Sequence, residues 1–479
     1  MVNFSVEASR AIRPYFFRAP CSDHIQPREF QLAAAEYALA KDHCIIGDAP
    51  GVGKTLETIL IGNAINARNT LVVCPASLRL NWDREIRMGS TIEGLRTYPV
   101  LKAKDGIGPH SHYTIISYDL LRNEPIFNAL MDQRWDHLIL DEGHFLKDCK
   151  GNKRTKAICG WTDGGVYQPG ITDVSGRITM ATGTPMPNGP IEMYVPIRLL
   201  CWPAIDEMSL AEFRREYYGY GEGFVRIRGK VQWSDRVLNV PRNLDDLQFR
   251  LRKFLMVRRL KEDVLHELPP KHWHVFPLAI TPAMRKALKH PGWKTAEKLY
   301  EMDSHAFDRG VPVDGEVSTA RRLLGEAKAP AIADYVNDLI AEGVGKVIVA
   351  AWHHSVLDFL REKLDHHGLV YMDGRTSTTK KQMAVDMFQY DGKVTIILGQ
   401  MGPLGTGWNL SAAQDVVNAE PSWVSGQNDQ LLDRPHRMGQ TGSYVLGHIP
   451  VVPNTMDERI LSTVIEKDKS IHASLDKIS

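Results

Sequence analysis

The chain has 479 residues, a formal net charge of +1, 43% hydrophobic residues and 24% charged residues. That is the balance of a folded globular protein, with material for two large domains or about three smaller ones. It excludes a disordered polyelectrolyte and a uniformly basic exterior, so any nucleic-acid surface must be a local cleft.

The six cysteines (Cys21, Cys44, Cys74, Cys149, Cys159, Cys201) all lie in the first half, with no Cys-x-x-Cys pair. This spacing argues against a zinc site and against a disulfide framework, and it fits a reducing, cytoplasmic setting. Met1 to Phe17 mixes polar and aromatic residues and has no signal-peptide core. The longest apolar runs, such as Val347 to Trp352, are strand-sized, so no membrane span is expected.

In chain order, short apolar runs alternate with helical patterns. Strands are predicted at 44–46, 71–74, 114–117, 137–140 and 178–181, then at 346–351, 369–372, 394–398, 415–418 and 444–449. The series predicts an α/β fold with two lobes, each a parallel sheet flanked by helices. Residues 190–335 carry more charge, Pro and Gly and show no strand series. They read as helical insertions plus the connector between lobes. Residues 160–176 read as a Gly/Asp-rich loop and 303–317 as a second loop.

The first chemical motif is Gly47-Asp48-Ala49-Pro50-Gly51-Val52-Gly53-Lys54-Thr55, between an apolar run and a helical pattern. Gly51 and Gly53 allow backbone N–H groups to turn inward around phosphate oxygens, at the positive end of the next helix. Lys54 would reach the β- and γ-phosphates, and the Thr55 hydroxyl would hold Mg²⁺. A nucleoside triphosphate is the implied ligand. Asp48 stands where the general P-loop pattern has Gly, and a Gly-rich turn without a ligand is the competing explanation.

Next, Leu138-Ile139-Leu140 runs into Asp141 and Glu142. Such strand ends open onto the ligand crevice of α/β sheets. Asp141 would bind Mg²⁺, and Glu142 would orient and deprotonate the attacking water. Solvated acids in a turn are the alternative. Met180-Ala181-Thr182-Gly183-Thr184-Pro185 repeats the strand-to-loop pattern with hydroxyls suited to sensing a γ-phosphate. Near the C-terminus, Gln430 to Gln440 places Arg434 and Arg437 three apart, predicted on one helix face. Guanidinium forks suit the charge on a transferring phosphoryl group, and closure of the lobes would bring them to it.

DNA contacts are expected in loops after strands: Ser77, Ser117, Arg375, Thr376, the Gly402 to Gly405 loop and Thr406, with ordinary connecting loops as the alternative. The cluster Arg250, Arg252, Lys253, Arg258, Arg259, Lys261 contains no acid between its members. It reads either as a phosphate track or as a solvated helix face with Leu251, Phe254 and Leu255 buried. Trp352, Trp408 and Trp423 read as core or lobe-closure residues, His353 and His354 as strand caps, and His436 as a buttress for the arginines.

The order of these motifs resembles superfamily-two helicases of the Swi/Snf type, from Arg28 to Gln440. Arg28-Glu29-Phe30-Gln31 resembles the adenine-reading element, with Gln31 as its glutamine. In this family Asp48 is usual in motif I. Cys74 to Leu78 with Asn81-Trp82 resembles motif Ia. Asp141 to His144 resembles the DEAH box, with Gly143 in place of Ala or Ser. Gly183-Thr184-Pro185 resembles motif III, Gly405 to Ala413 motif V, and Gln430 to Gln440 motif VI. Gly407 and Gln430 thereby become nucleotide-binding candidates. Arg258 to Val264 resembles the block joining the lobes. Glu142 to Asp148, with Pro190 to Tyr194, is similar to the annealing-helicase branch.

The resemblance implies two tandem RecA-like lobes: an N-terminal extension over 1–24, a first lobe over 25–258 with a helical insertion at 190–258, and a second over 259–479 with one at 272–335. It implies ATP and Mg²⁺ as ligands, translocation on double-stranded or forked DNA, and a stand-alone motor of bacterial or phage type. An RNA helicase or restriction-type translocase subunit is the rival enzyme. A nucleotide-gated scaffold would show a degraded Lys54, Glu142 or Arg437, and each is intact.

Overall fold

The structure is a computed structural model that describes residues 6–146, 152–183, 185–186, 189–227, 230–302, 315–405 and 407–462, with the side chains of His144, Ser425 and residues 221–239 left aside. The chain divides into two compact units at His266/Glu267.

In the first unit, β1 (Cys44–Ile46), β2 (Thr70–Cys74), β3 (Thr97–Pro99), β4 (Tyr113–Ser117), β5 (Trp135–Asp141), β8 (Ser175–Ala181) and β11 (Met256–Val257) form a seven-stranded sheet. Its order is β11-β1-β8-β5-β2-β4-β3, and every pairing is parallel. Helices cover both faces, so the central strands are buried throughout, and their sequences are near-continuous apolar runs. Ile59, Val72, Trp82, Ile86 and Ile139 pack one side of this core. Tyr37, Ile46, Leu60 and Val257 pack another part.

Three regions of this unit differ from their predicted structure, besides the unpredicted edge strand β3. The 160–176 segment is not all loop: β6 (Trp161–Asp163) and β7 (Val166–Gln168) form a hairpin before a 3₁₀ turn at Ile171–Val174. The 190–258 insertion is not purely helical either. It holds a long antiparallel hairpin, β9 (Tyr218–Ile227) and β10 (Lys230–Pro241). Its Tyr, Phe, Val and Trp residues are strand formers, interspersed with Gly and charge that obscure the pattern. Finally, β11 completes the first sheet, and residues 259–266 stay with that unit rather than opening the second lobe.

The second unit holds β12 (Lys271–Pro277), β13 (Val347–Ala351), β14 (Leu369–Met372), β15 (Ile396–Gln400), β16 (Asp415–Asn418) and β17 (Val445–Val451). Their order is β12-β17-β16-β13-β15-β14, again all parallel. β12 falls inside the predicted helical insertion and corrects it. It is an edge strand, so its half-exposed Lys-His-Trp-His sequence lacks the apolar run of a central strand. The long helix Gly315–Ala341 packs Ile332, Val336 and Leu339 on Val347, Val349 and Leu398. Among the described residues, no helix is long and apolar enough to cross a membrane.

Candidate active site

Strand register builds the site. Ile46 lies opposite Val257 on one side and Ala181 on the other, and Ala181 lies opposite Asp141. Four adjacent strands therefore end at one level. The loops leaving them start side by side, at strand spacings of about 4.8 Å. Carboxyl ends of parallel strands are where open α/β sheets bind ligands.

The loop after β1 carries Gly51 and Gly53 at φ +83° and +96°, a region in which an L side chain is strained. These turns deliver the chain into helix α2 (Lys54–Ala64), so its first N–H groups face the loop. Lys54 Nζ donates to the carbonyls of Asp48 (3.0 Å) and Ala49 (3.1 Å). Burial lowers its pKa, and the nearby Glu142 and Asp48 carboxylates oppose that shift. Thr55 follows in the first helical turn, half-buried. Gly183 closes on this loop: a Cβ there would lie 2.7 Å from Pro50 Cγ and 3.1 Å from Lys54 Nζ. Thr184 lies outside the described residues.

Asp141 ends β5 and is held on several sides. Its Oδ2 accepts the Trp82 indole N–H at 2.8 Å, and its Oδ1 accepts the Glu142 N–H at 3.0 Å. The Tyr118 hydroxyl donates to its carbonyl at 2.8 Å. Burial and the adjacent Glu142 carboxylate push Asp141 up to about 6, while the Trp82 hydrogen bond and Lys54 pull it down. Glu142 adopts φ +51°, uncommon for a non-glycine and concentrated at functional sites. Gly143 has a steric cause. A Cβ at that position would stand 2.1 Å from Met180 Cγ on the neighbouring strand β8. Lys147 and Asp148 lie outside the described residues.

The loop after β11 supplies two arginines that bind the phosphate-loop backbone and its acids. Arg258 Nη1 donates to Gly47 O at 2.7 Å and Gly183 O at 3.4 Å. Arg259 is buried with Asp48 and Glu57, each side chain at 0% exposure. Its Nε reaches Asp48 Oδ2 at 2.9 Å, its Nη2 bonds the same oxygen and Glu57 Oε1 (3.0 Å), and its backbone N–H donates to Asp48 Oδ1 at 2.8 Å. Burial alone would lower the Arg259 pKa, but the two carboxylates raise it. Glu57 is held well above the ordinary carboxylate range, first by burial and then by Asp48.

This contradicts a phosphate-tracking role for the 250–261 cluster. Arg252, Arg258 and Arg259 are buried, and Arg250 pairs with Asp206 and Asp246 at 2.8 Å each. Of the apolar residues expected beneath that helix, Leu251 and Leu255 are buried, whereas Phe254 is 38% exposed.

Helix α1 (Glu29–Leu39) begins beside this assembly. Gln31 is buried; its Oε1 accepts the Arg28 N–H at 2.9 Å and its amide donates to Val52 O at 3.3 Å. One side chain thus caps α1 and touches the phosphate loop. A cavity of about 560 Å³ adjoins, lined among others by Ile12, Gln26, Arg28, Phe30, Asp263 and His266. Arg259 lies over the Phe30 ring at 5.3 Å from its centroid.

Within the second unit, Arg437 Nη1 donates to Gly407 O (3.1 Å) and Trp408 O (2.7 Å), joining the two C-terminal motifs. Arg434 is buried and its Nε donates to Gln430 O at 2.7 Å. The shared helix face is corrected here: the helix is Ser425–Leu432, and both arginines follow it in a turn. His436 Nε2 meets Pro269 O at 2.9 Å and thereby braces that turn. His353 is the N-cap residue of the helix His354–Leu364, with its ring on Glu420 at 2.7 Å. Trp408 and Trp423 are buried, whereas Trp352 is exposed, with the Arg321 guanidinium over its ring.

The expected DNA contacts fall in both units. Ser77 is half-buried in a short 3₁₀ turn, and Ser117 is buried at the end of β4. Arg375 Nε donates to Asp373 Oδ2 at 2.6 Å and the Thr376 hydroxyl to Asp373 Oδ1 at 2.9 Å, so this loop folds on its own acid. Thr406 lies outside the described residues. Sequence reasoning missed Tyr118 and Trp82 as supports of Asp141, and Arg259 as the partner of Asp48. Asp48 at a glycine position was the one local signal for the last.

Residues 26–314 match the SNF2-related domain, more than half of the chain. The chain belongs to the SNF2-related family. Residues 331–439 match the helicase conserved C-terminal domain. Similar curated proteins include the mouse DNA annealing helicase and endonuclease ZRANB3, 28% identical over 93% of this chain and 40% of its own length. Another is the Xenopus tropicalis SWI/SNF-related matrix-associated actin-dependent regulator of chromatin subfamily A-like protein 1, 28% identical over 92% of this chain and 44% of its own. This SNF2-related chain thus spans about two fifths of the length of those relatives. A solved Sulfolobus solfataricus SWI2/SNF2 ATPase core in complex with dsDNA aligns with a TM-score of 0.41 and 18% identity, over 95% of this chain and 94% of that one.

Proposed function

We propose that the chain is an ATP-driven motor that translocates on double-stranded or forked DNA. The observation that carries the reading is the convergence of Lys54, Asp141, Glu142 and Gly183 at the ends of three adjacent parallel strands. Lys54 would exchange its two carbonyl partners for β- and γ-phosphate oxygens. Gly51, Gly53 and the start of α2 would add N–H donors. The cavity beside Gln31, with Phe30 and Ile12 on its wall, would take the adenine base.

Asp141 and the Thr55 hydroxyl are hard oxygen donors on the same rim, a set that fits Mg²⁺. When bound, Mg²⁺ would neutralise charge on the phosphate oxygens. Trp82 and Tyr118 hold Asp141 in place for that task. Glu142 would accept the proton of the attacking water. Arg434 and Arg437 would stabilise charge on the transferring phosphoryl group. Family membership and the printed names of the relatives support DNA as the second ligand. For hydrolysis to move the chain, DNA must bind differently before and after it.

ATP turnover measured with duplex, forked and single-stranded DNA and with RNA tests this. Stimulation by duplex or forked DNA is expected; stimulation by RNA alone refutes the assignment.

A further inference from the structure

The N-terminal segment carries an exposed aromatic surface that the nucleotide site does not use. Tyr15, Phe16 and Phe17 are 56%, 77% and 42% exposed. A run of three rings in water is unusual on a folded surface, and contiguous apolar patches of this kind mark interaction sites. These rings are not a frayed end. The backbone N–H groups of all three donate to the buried Glu36 carboxylate, at 2.7, 2.6 and 2.7 Å. Glu36 sits on helix α1, so the segment is pinned to the first unit with its rings outward. The Tyr15 and Phe16 rings are 6.2 Å apart, centroid to centroid, tilted by 37°.

Charge selects the partner. Between residues 10 and 18 there are three arginines, Arg10, Arg13 and Arg18, and no acid. All three are exposed, and Arg18 is paired with the solvent-facing Glu29 at 2.8 Å. Aromatic faces interleaved with cations suit one ligand chemistry above others: unpaired nucleobases on a phosphate backbone. The bases stack on the rings, and the arginines meet the phosphates. A duplex offers phosphates but no free base face. An apolar protein partner would have no use for the arginines.

We propose that Tyr15, Phe16 and Phe17, flanked by Arg13 and Arg18, form a stacking platform for a single-stranded DNA segment. The proposal rests on the reading of the chain as a DNA motor and adds a second contact, separate from the one that drives turnover. Such a platform would favour DNA with an unpaired arm over blunt duplex.

The test uses the full chain and three variants: Tyr15→Ala/Phe16→Ala/Phe17→Ala, the same positions changed to Leu, and Arg13→Glu. Binding to an oligothymidylate of roughly 20 nucleotides and to blunt duplex is read by fluorescence anisotropy. The alanine and leucine triples are both expected to lose roughly tenfold or more in oligothymidylate affinity, because leucine keeps apolarity but has no π-face. Arg13→Glu is expected to weaken oligothymidylate binding and flatten its salt dependence. Blunt-duplex affinity and duplex-stimulated ATP turnover should stay unchanged in the aromatic triples. Oligothymidylate affinity equal to wild type in the alanine triple overturns the proposal. So does a raised KM for ATP with unchanged oligothymidylate binding, which would assign the rings to the nucleotide. A change of oligomeric state in the alanine triple, with unchanged oligothymidylate binding, would assign them to a second copy. Absence of DNA-stimulated turnover in the wild type refutes the motor reading instead, and is read separately.

Discussion

Replacing Arg259 by Met asks whether the buried arginine holds the phosphate loop in place. Arg259, Asp48 and Glu57 are fully buried and bonded through three side-chain contacts, with a fourth bond from the Arg259 backbone N–H. Removing one partner of a buried ion pair costs about 3–5 kcal/mol, because the remaining charge stays uncompensated. Here two carboxylates lose their cation, and Met fills most of the vacated volume, so electrostatics dominate over cavity formation. At about 2–4 °C per kcal/mol for a domain of this size, Tm falls by about 6–20 °C. The loss has a pH signature. Glu57 already stands above the ordinary carboxylate range through burial, then Asp48, with Arg259 opposing. Without the guanidinium it rises further. A carboxyl raised in the folded state contributes stability in full below its unfolded value, near about 4.3, and loses it as pH rises through the folded value. The Tm deficit of the variant is therefore larger at about pH 8 than at about pH 5. Differential scanning calorimetry on wild type, Arg259→Met and the triple variant Asp48→Asn/Glu57→Gln/Arg259→Met reads the effect. The triple should recover part of the loss, since no buried charge remains at these three positions. A variant that melts within about 2 °C of wild type at both pH values refutes the reasoning.

Lys54→Ala should abolish ATP hydrolysis, since the phosphates lose their point charge; full turnover removes the phosphate-loop assignment. Glu142→Gln should keep nucleotide binding and lower turnover by about 10²–10⁴; weak binding with normal turnover contradicts its role. Trp82→Phe deletes the donor that stabilises ionised Asp141 at 2.8 Å. Its carboxyl should rise, moving the acid limb of the pH–rate profile upward, and an unshifted limb would mean that Trp82 only packs. Gly143→Ala should cost about 1–3 kcal/mol by collision with Met180. Adding Met180→Ala should then cost less than the sum of the single losses, by calorimetry; strict additivity would mean that the two positions do not meet.

The sheets were legible because burial on both faces writes strands as continuous apolar runs. β1, β2, β4, β5 and β8, like β13 to β17, are found within a few residues of their predicted places. What escaped lacked that signature. β11 has two residues, β3 is half-buried, and β12 is an edge strand. The hairpin β9–β10 mixes strand formers with charge and glycine. β3 and β12 lack two-sided burial, β11 is too short to form a run, and the hairpin sequence is interrupted by charge and glycine, so hydropathy alone could not separate them from a loop or helix.

The chemical residues were legible for a different reason. Lys54, Thr55, Asp141 and Glu142 lie in contiguous motifs, because a loop that cradles phosphate is built from adjacent residues. Their supports come from elsewhere in the chain: Trp82 from 59 residues before Asp141, and Arg259 from 211 residues beyond Asp48. No periodicity marks such pairs. Yet two departures from the usual patterns pointed toward partners. Asp48 occupies a glycine position because Arg259 needs a carboxylate there. Gly143 occupies an Ala/Ser position because Met180 fills the space of a Cβ. Both anomalies lie within motifs, and both resolve into contacts with a neighbouring strand or the loop that follows one. A substitution inside an otherwise intact motif is thus compensated, not decayed, when its partner stands at the same level of the sheet.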